Sequence, residues 1–182
     1  MDSKITDNSV EARKLYITML GRSVWAVINT YYSVLREKQY FPDEILLFVE
    51  GKDDPALKEK LKKTLEGLKI LSDSYGIEPE IHYELISECV CDVESDDDFV
   101  KAVIRISNLI KKRKAAGDTI AVDITPGKKT LVAGTLLPIK LNDIDYLFYL
   151  SAEELVARPY MMIPYQIQQI NDFKEQVMRV MH

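Results

Sequence analysis

Residues 119–130 run TIAVDITPGKKT: an apolar, β-branched stretch, a proline–glycine turn, and two lysines where a helix begins. Thr119 to Ile124 reads as a strand, and Thr125-Pro126-Gly127 supplies the turn into a helix. Helical spacing follows from about Lys128 to Leu137. Lys128 and Lys129 sit at the positive end of that helix, so stability gives them no reason to cluster there. Backbone N–H groups, helix dipole and ammonium charge converge on one point, which suits a phosphate or other anion. The bland alternative is a solvated lysine pair. A Walker A loop is excluded, since its two glycines four residues apart before Lys-Ser/Thr are missing.

Outward from this stretch, strand-like and helix-like segments alternate. Leu15 to Leu20 (LYITML) reads as a strand; a helical period follows, with Val24, Val27, Ile28, Tyr31 and Leu35 on one face and Ser23 placed to cap it. Ile45 to Val49 (ILLFV) is a fully apolar run typical of a buried parallel strand. Asp54-Pro55 starts a helix carrying Leu57, Leu61, Leu65, Leu68 and Leu71, and Gly76 stops it. Ile81, Tyr83 and Leu85 alternate as a strand. A helix beginning near Ser95, with Asp96, Asp97 and Asp98, runs to Lys111–Lys114 and Gly117, acid first and base last as the macrodipole favours. Ile144 to Leu150 is a fifth strand, and a last helix is expected from about Gln166 to Met181.

Five strands alternating with helices imply βαβ units with right-handed crossovers. The expected class is α/β: a three-layer, Rossmann-like fold with a mainly parallel central sheet and helices on both faces. Function in such sheets sits beyond the carboxyl ends of the strands. That rule selects the loop after the fourth strand and the loop after the first, Gly21-Arg22-Ser23. The latter has one glycine rather than Gly-x-Gly-x-x-Gly, which argues against a dinucleotide site. Arg22 and Ser23 instead offer a guanidinium and a hydroxyl at the same sheet edge, although Ser23 is equally a plain helix cap.

The 182 residues are 47% hydrophobic and 29% charged, enough for one globular domain with a real core. With 29 acidic against 24 basic residues the net charge is −5, so a protein that coats duplex nucleic acid is not expected. Cys89 and Cys91 make no disulfide framework, no apolar run reaches membrane-spanning length and the first fourteen residues lack a signal-peptide core. A cytoplasmic location is the expectation. Cys89-x-Cys91 reads as two ordinary thiols, with no metal site expected. The acidic run from Asp92 to Asp98 lacks the glycine and terminal glutamate of an EF-hand. His82 reads as a strand residue with a hydrogen-bond partner, Trp25 and Tyr31-Tyr32 as core or dimer packing residues, and Tyr160 to Ile163 as a late strand that packs in the core, ahead of an interface.

The apolar strand ending in Gly-x-Ser before a long helix resembles the start of CARF domains, the CRISPR-associated Rossmann folds. Asp123-x-Thr125-Pro126-Gly127-Lys128-Lys129-x-Leu131 is similar to their second motif, commonly Asp-x-Thr-Gly-Gly-Thr-Lys-x-Met. Asp123, Thr125, Gly127 and Lys129 match; Pro126 replaces a glycine, Lys128 a threonine and Leu131 a methionine. The resemblance covers about Leu15 to Leu150 in element order. It implies an N-terminal extension (1–13), a CARF-like domain (14–150) and a C-terminal strand/helix extension (151–182) packing on the domain or dimer.

The resemblance further implies a two-fold homodimer that binds cyclic oligoadenylate, most often the four-membered ring, in type III CRISPR antiviral signalling. Arg22, Lys128 and Lys129 would meet the phosphates, Ser23 and Thr125 would offer hydroxyls, and Gly21, Pro126 and Gly127 would shape the loops, with no cofactor. As a sensor, such a protein would act through a partner or a segment outside this chain, such as an N-terminal anchor. Some family members instead cleave the ring without metal, a ribose 2′-OH attacking the adjacent phosphate. Lys129 would then stabilise charge and Ser23 orient the ring; neither His82 nor His182 is placed as a general base. A third reading is an α/β domain binding another nucleotide or phosphate.

Overall fold

Strand β1 (Lys14–Leu20) is apolar on both faces and lies at the centre of a six-stranded sheet of order β3-β2-β1-β4-β5-β6. Its neighbours are β2 (Glu44–Glu50) and β4 (Thr119–Asp123), with β3 (Glu80–Ile86), β5 (Tyr146–Ala152) and β6 (Gln168–Asp172) outside them. The first five strands pair in parallel, and β6 runs antiparallel to β5. The computed structural model describes residues 12–51, 54–86, 93–152 and 162–181. Cys89, Cys91, Asp92, Tyr160 and His182 lie outside the described residues.

Side-chain alternation along β1 divides the core in two. Tyr16 and Leu20 join Val27, Tyr31, Leu35, Leu47 and Leu68 under helices α1 (Val24–Ser33) and α2 (Pro55–Ser74). Leu15, Ile17 and Met19 join Val103, Ile106, Ile110 and Leu131 under α3 (Val93–Ala115) and α4 (Lys129–Leu136). Helices therefore cover both faces, and the three-layer α/β class follows. Each buried Leu or Ile contributes roughly 1.5–3 kcal/mol.

Local chemistry sets the boundaries. The Asp54 carboxylate accepts from Leu57 N at 2.7 Å and Pro55 opens α2; Gly76, at φ +68°, follows its end. A wider helical turn, Val34–Lys38, extends α1 and closes on Gln39 in the left-handed region.

The C-terminal segment departs from the expectation of one helix from Gln166 to Met181. Residues Gln168–Asp172 form β6, and only Phe173–Met181 form a helix, α5. The apolar positions Ile167, Ile170 and Phe173 have helical spacing, but Gln168, Ile170 and Asp172 point inward while Gln169 and Asn171 lie further out. The open edge of β5 supplies a partner ladder, with Leu150 opposite Ile170, and that pairing outweighs the helical period. Asp172 marks the switch, its Oδ1 accepting from Lys174 N at 3.0 Å to start α5. Met162–Pro164, at the end of the segment expected as a late strand, is irregular, tied to α1 where Ile163 N donates to Asn29 Oδ1 at 2.7 Å.

Candidate functional site

The connections after β1 and β4 leave adjacent strands for opposite faces of the sheet, which makes this the switch point where a crevice opens. Gly21 lets the two loops meet. A β-carbon there would lie 2.2 Å from the Pro126 carbonyl oxygen, so only a glycine allows this approach. Above it is a cavity of about 620 Å³ lined by Arg22, Ser23, Thr125, Pro126, Gly127, Lys128 and Lys129. All eight residues selected from the sequence thus converge, seven on the cavity wall and Gly21 beneath it.

Their chemical states differ. Ser23 occupies the position before α1 with extended backbone, yet its hydroxyl makes no capping bond, contrary to the plain-cap reading. Arg22 and Lys129 make no hydrogen bond or ion pair with another described residue. Lys128 Nζ lies 3.6 Å from Glu50 Oε1. The amino edge of the sheet is built differently. There Arg13 pairs with Glu80 at 3.2 Å, Arg113 with Glu44 at 2.7 Å and with Asp118, and Lys114 with Asp145 at 2.7 Å. The cations of the amino edge are thus neutralised, whereas at the carboxyl edge Arg22 and Lys129 have no ion partner among the described residues and Lys128 has Glu50. Two helix N-termini, α1 and α4, add partial positive charge to the second.

The loop is held from below by Asp123, which is fully buried. Its Oδ2 accepts from Tyr16 Oη (3.1 Å) and Thr18 Oγ1 (3.0 Å), and its Oδ1 from Thr125 N (2.9 Å). Thr125 Oγ1 in turn accepts from Leu150 N at 2.9 Å, so this hydroxyl is already committed to tying the loop to β5. Burial pushes the Asp123 carboxyl up to about 6, against the hydrogen bonds from Thr125, Thr18 and Tyr16, which favour the ionised form.

The folded state therefore holds this proton more tightly than the unfolded chain. The stabilisation is complete below the unfolded value of 3.8 and is lost as pH rises through about 6, a difference of roughly 3 kcal/mol. In urea titrations from pH 4 to 7, the stability of wild type relative to Asp123→Asn is expected to fall by about that amount. A flat difference would show that the carboxyl does not titrate in this window.

Sequence reasoning missed Glu50 and the Tyr16–Thr18 pair. The only signal for Glu50 was a charge closing the apolar run of β2. A second groove, of about 610 Å³ between α1 and α2, shares Arg22 and Ser23 with the first and is walled by Trp25, Ile28, Ile70 and Leu71. His82 is exposed on edge strand β3, its Nε2 3.7 Å from Glu80 Oε2. Among the described residues, no group of His, Cys, Asp and Glu could hold a metal ion, and no helix is long and apolar enough to cross a membrane.

Fold and site together describe a Rossmann-like α/β domain with a cation-lined cavity at its switch point. No family model and no curated protein matches the chain. Among solved structures it is similar in fold to Enterococcus italicus Csm6 bound to cyclic hexa-2′-fluoro-hexa-dAMP, with a TM-score of 0.51 and 12% identity. The match covers 93% of this chain and 45% of that one, so this chain spans less than half of Csm6. Glucose-6-phosphate 1-dehydrogenase from Mycobacterium avium also matches, at 13% identity over 75% of this chain and 35% of that one. Its TM-score of 0.29 is too low to relate the two folds.

Proposed function

We propose that this chain binds a cyclic oligoadenylate, with cyclic tetra-adenylate the first candidate, as a cytoplasmic sensor in type III CRISPR antiviral signalling. The observation that carries the reading is the gathering of Arg22, Lys128, Lys129 and the uncommitted Ser23 hydroxyl on one cavity between two helix N-termini. The CARF-like motif from Asp123 to Leu131 and the fold likeness to Csm6, itself bound to a cyclic hexanucleotide analogue, point the same way. An acidic protein holds such a polyanion where its basic groups are concentrated. The apolar groove beside Arg22 offers Trp25 and aliphatic surface to the bases. A two-fold homodimer would present each loop twice to a ring of matching symmetry.

A second reading, ring cleavage, is favoured by the same two uncommitted groups, Ser23 and Lys129. The ribose 2′-OH would attack the adjacent phosphorus in line and lose its proton to solvent. The P–O5′ bond would break and the departing 5′ oxygen would take a proton from solvent, leaving a 2′,3′-cyclic phosphate and a 5′-OH. Lys129 would stabilise the developing charge and Ser23 orient the ring.

The test mixes purified protein with cyclic tetra- and hexa-adenylate without added metal, and follows binding and ligand integrity together. An intact bound ring supports the sensor. Linear products that disappear in Lys129→Ala establish the nuclease. Binding of neither ring, with inorganic polyphosphate still bound, leaves the third reading, a site for another phosphate ligand.

A further inference from the structure

Glu50 is the last residue of β2, and its side chain is 3% exposed. Its Oε1 lies 3.6 Å from Lys128 Nζ, its only ion pair with a described residue, and its Oε2 has no hydrogen-bond partner. Across the register Glu50 faces the apolar Ile86 of β3. As a structural ion pair this is poor. The distance exceeds hydrogen-bonding range, and a buried carboxylate with an unfilled oxygen costs more than such a contact returns. The contrast is with Arg113 and Glu44 at the opposite edge, where the same charges meet at 2.7 Å. A buried group left this way calls for an explanation other than stability.

The reason lies on the other side of Lys128, which also lines the cation-lined cavity. We infer that Glu50 is a positioning residue that draws Lys128 towards the wall and sets how tightly the cavity holds an anion. The inference rests on the proposed reading that an anionic ligand occupies this cavity. Arg22 and Lys129 meet the anion at full strength, while Lys128 shares its ammonium with a carboxylate that the ligand must tolerate. An anion hydrogen-bonded to Lys128 would lie within roughly 7 Å of the Glu50 charge. At an effective dielectric near 20 that repulsion corresponds to about fiftyfold in binding before salt screening, and screening brings it to about tenfold. Glu50 thus keeps a site of several cations from holding its ligand too long.

The experiment measures binding of cyclic tetra-adenylate and of inorganic tripolyphosphate to wild type, Glu50→Gln, Lys128→Ala and the double variant, over a range of salt. Glu50→Gln is expected to tighten both ligands about tenfold and to steepen the salt dependence by about one released counterion. Tightening is not an effect that damage to a merely structural residue produces. In the Lys128→Ala background, where water reaches and screens the carboxylate, the gain is expected to shrink to about twofold. Unchanged or weaker binding in Glu50→Gln, or full tightening without Lys128, overturns the inference. If Glu50→Gln fails to fold, Lys128→Gln against Lys129→Gln decides: the first is expected to cost about threefold and the second about thirtyfold or more, and equal costs overturn it. Tripolyphosphate responding as expected while cyclic tetra-adenylate does not bind would sustain Glu50's role and refute the nucleotide reading. If neither binds, both fall.

Discussion

Alanine in place of Lys129 is expected to weaken binding of cyclic tetra-adenylate about a hundredfold while leaving the melting temperature unchanged or higher. Arg22→Ala is expected to behave the same way. Each side chain lines the cavity and pairs with no other described residue, so its removal costs the free protein nothing in ion pairs and relieves like-charge repulsion with Lys128. A charge-assisted hydrogen bond to phosphate contributes about 1.5–3 kcal/mol, which sets the scale of the loss. In the proposed two-fold dimer each substitution would remove two such groups. Calorimetric binding read beside thermal unfolding separates the outcomes: loss of both affinity and stability would make these residues structural, and loss of neither would remove the cavity from consideration.

Gly21→Ala is expected to cost about 3 kcal/mol or more of stability and to abolish binding even at temperatures where the protein stays folded. The added β-carbon would meet a backbone oxygen, Pro126 O, at 2.2 Å, and no side-chain rotation relieves that. The β4–α4 loop, or the end of β1, must move, and the cavity moves with it. For a chain of this size the melting temperature would drop by roughly 6–12 °C. Gly76→Ala is the control. A β-carbon there meets nothing within 4 Å, so its cost is the left-handed backbone alone, about 1 kcal/mol, with ligand binding untouched. Equal losses in the two variants would show that the Gly21 contact has no special role.

Much of the fold was legible because buried parallel strands announce themselves. LYITML, ILLFV and TIAVDI have to be covered on both faces, and amphipathic helices of matching length lie between them. The loops of interest were legible for the same reason, since the switch-point rule depends only on element order. The C-terminal strand was not. Residues 168–172 satisfy a helical and an extended period equally, and only the presence of the open β5 edge decides between them. Ser23 was legible as a residue beside α1 but not as a hydroxyl left without a capping bond. Thr125 was legible as a turn residue but not as one whose hydroxyl is occupied by Leu150 N.

What the sequence determined by itself was the α/β class, the order of elements, and the placing of a guanidinium, two ammonium groups and two hydroxyls after the first and fourth strands. Those are local properties: residue type, periodicity and turn chemistry along the chain. The tertiary structure alone decided that residues about a hundred positions apart share one cavity, and that Gly21 and Pro126 touch. It alone left Arg22 and Lys129 without a partner among the described residues while Lys128 answers to a buried Glu50. Whether a charge is neutralised depends on which strand lies beside which and in what register, and electrostatic partnership falls off over a few ångströms in space, with no regard for distance along the chain.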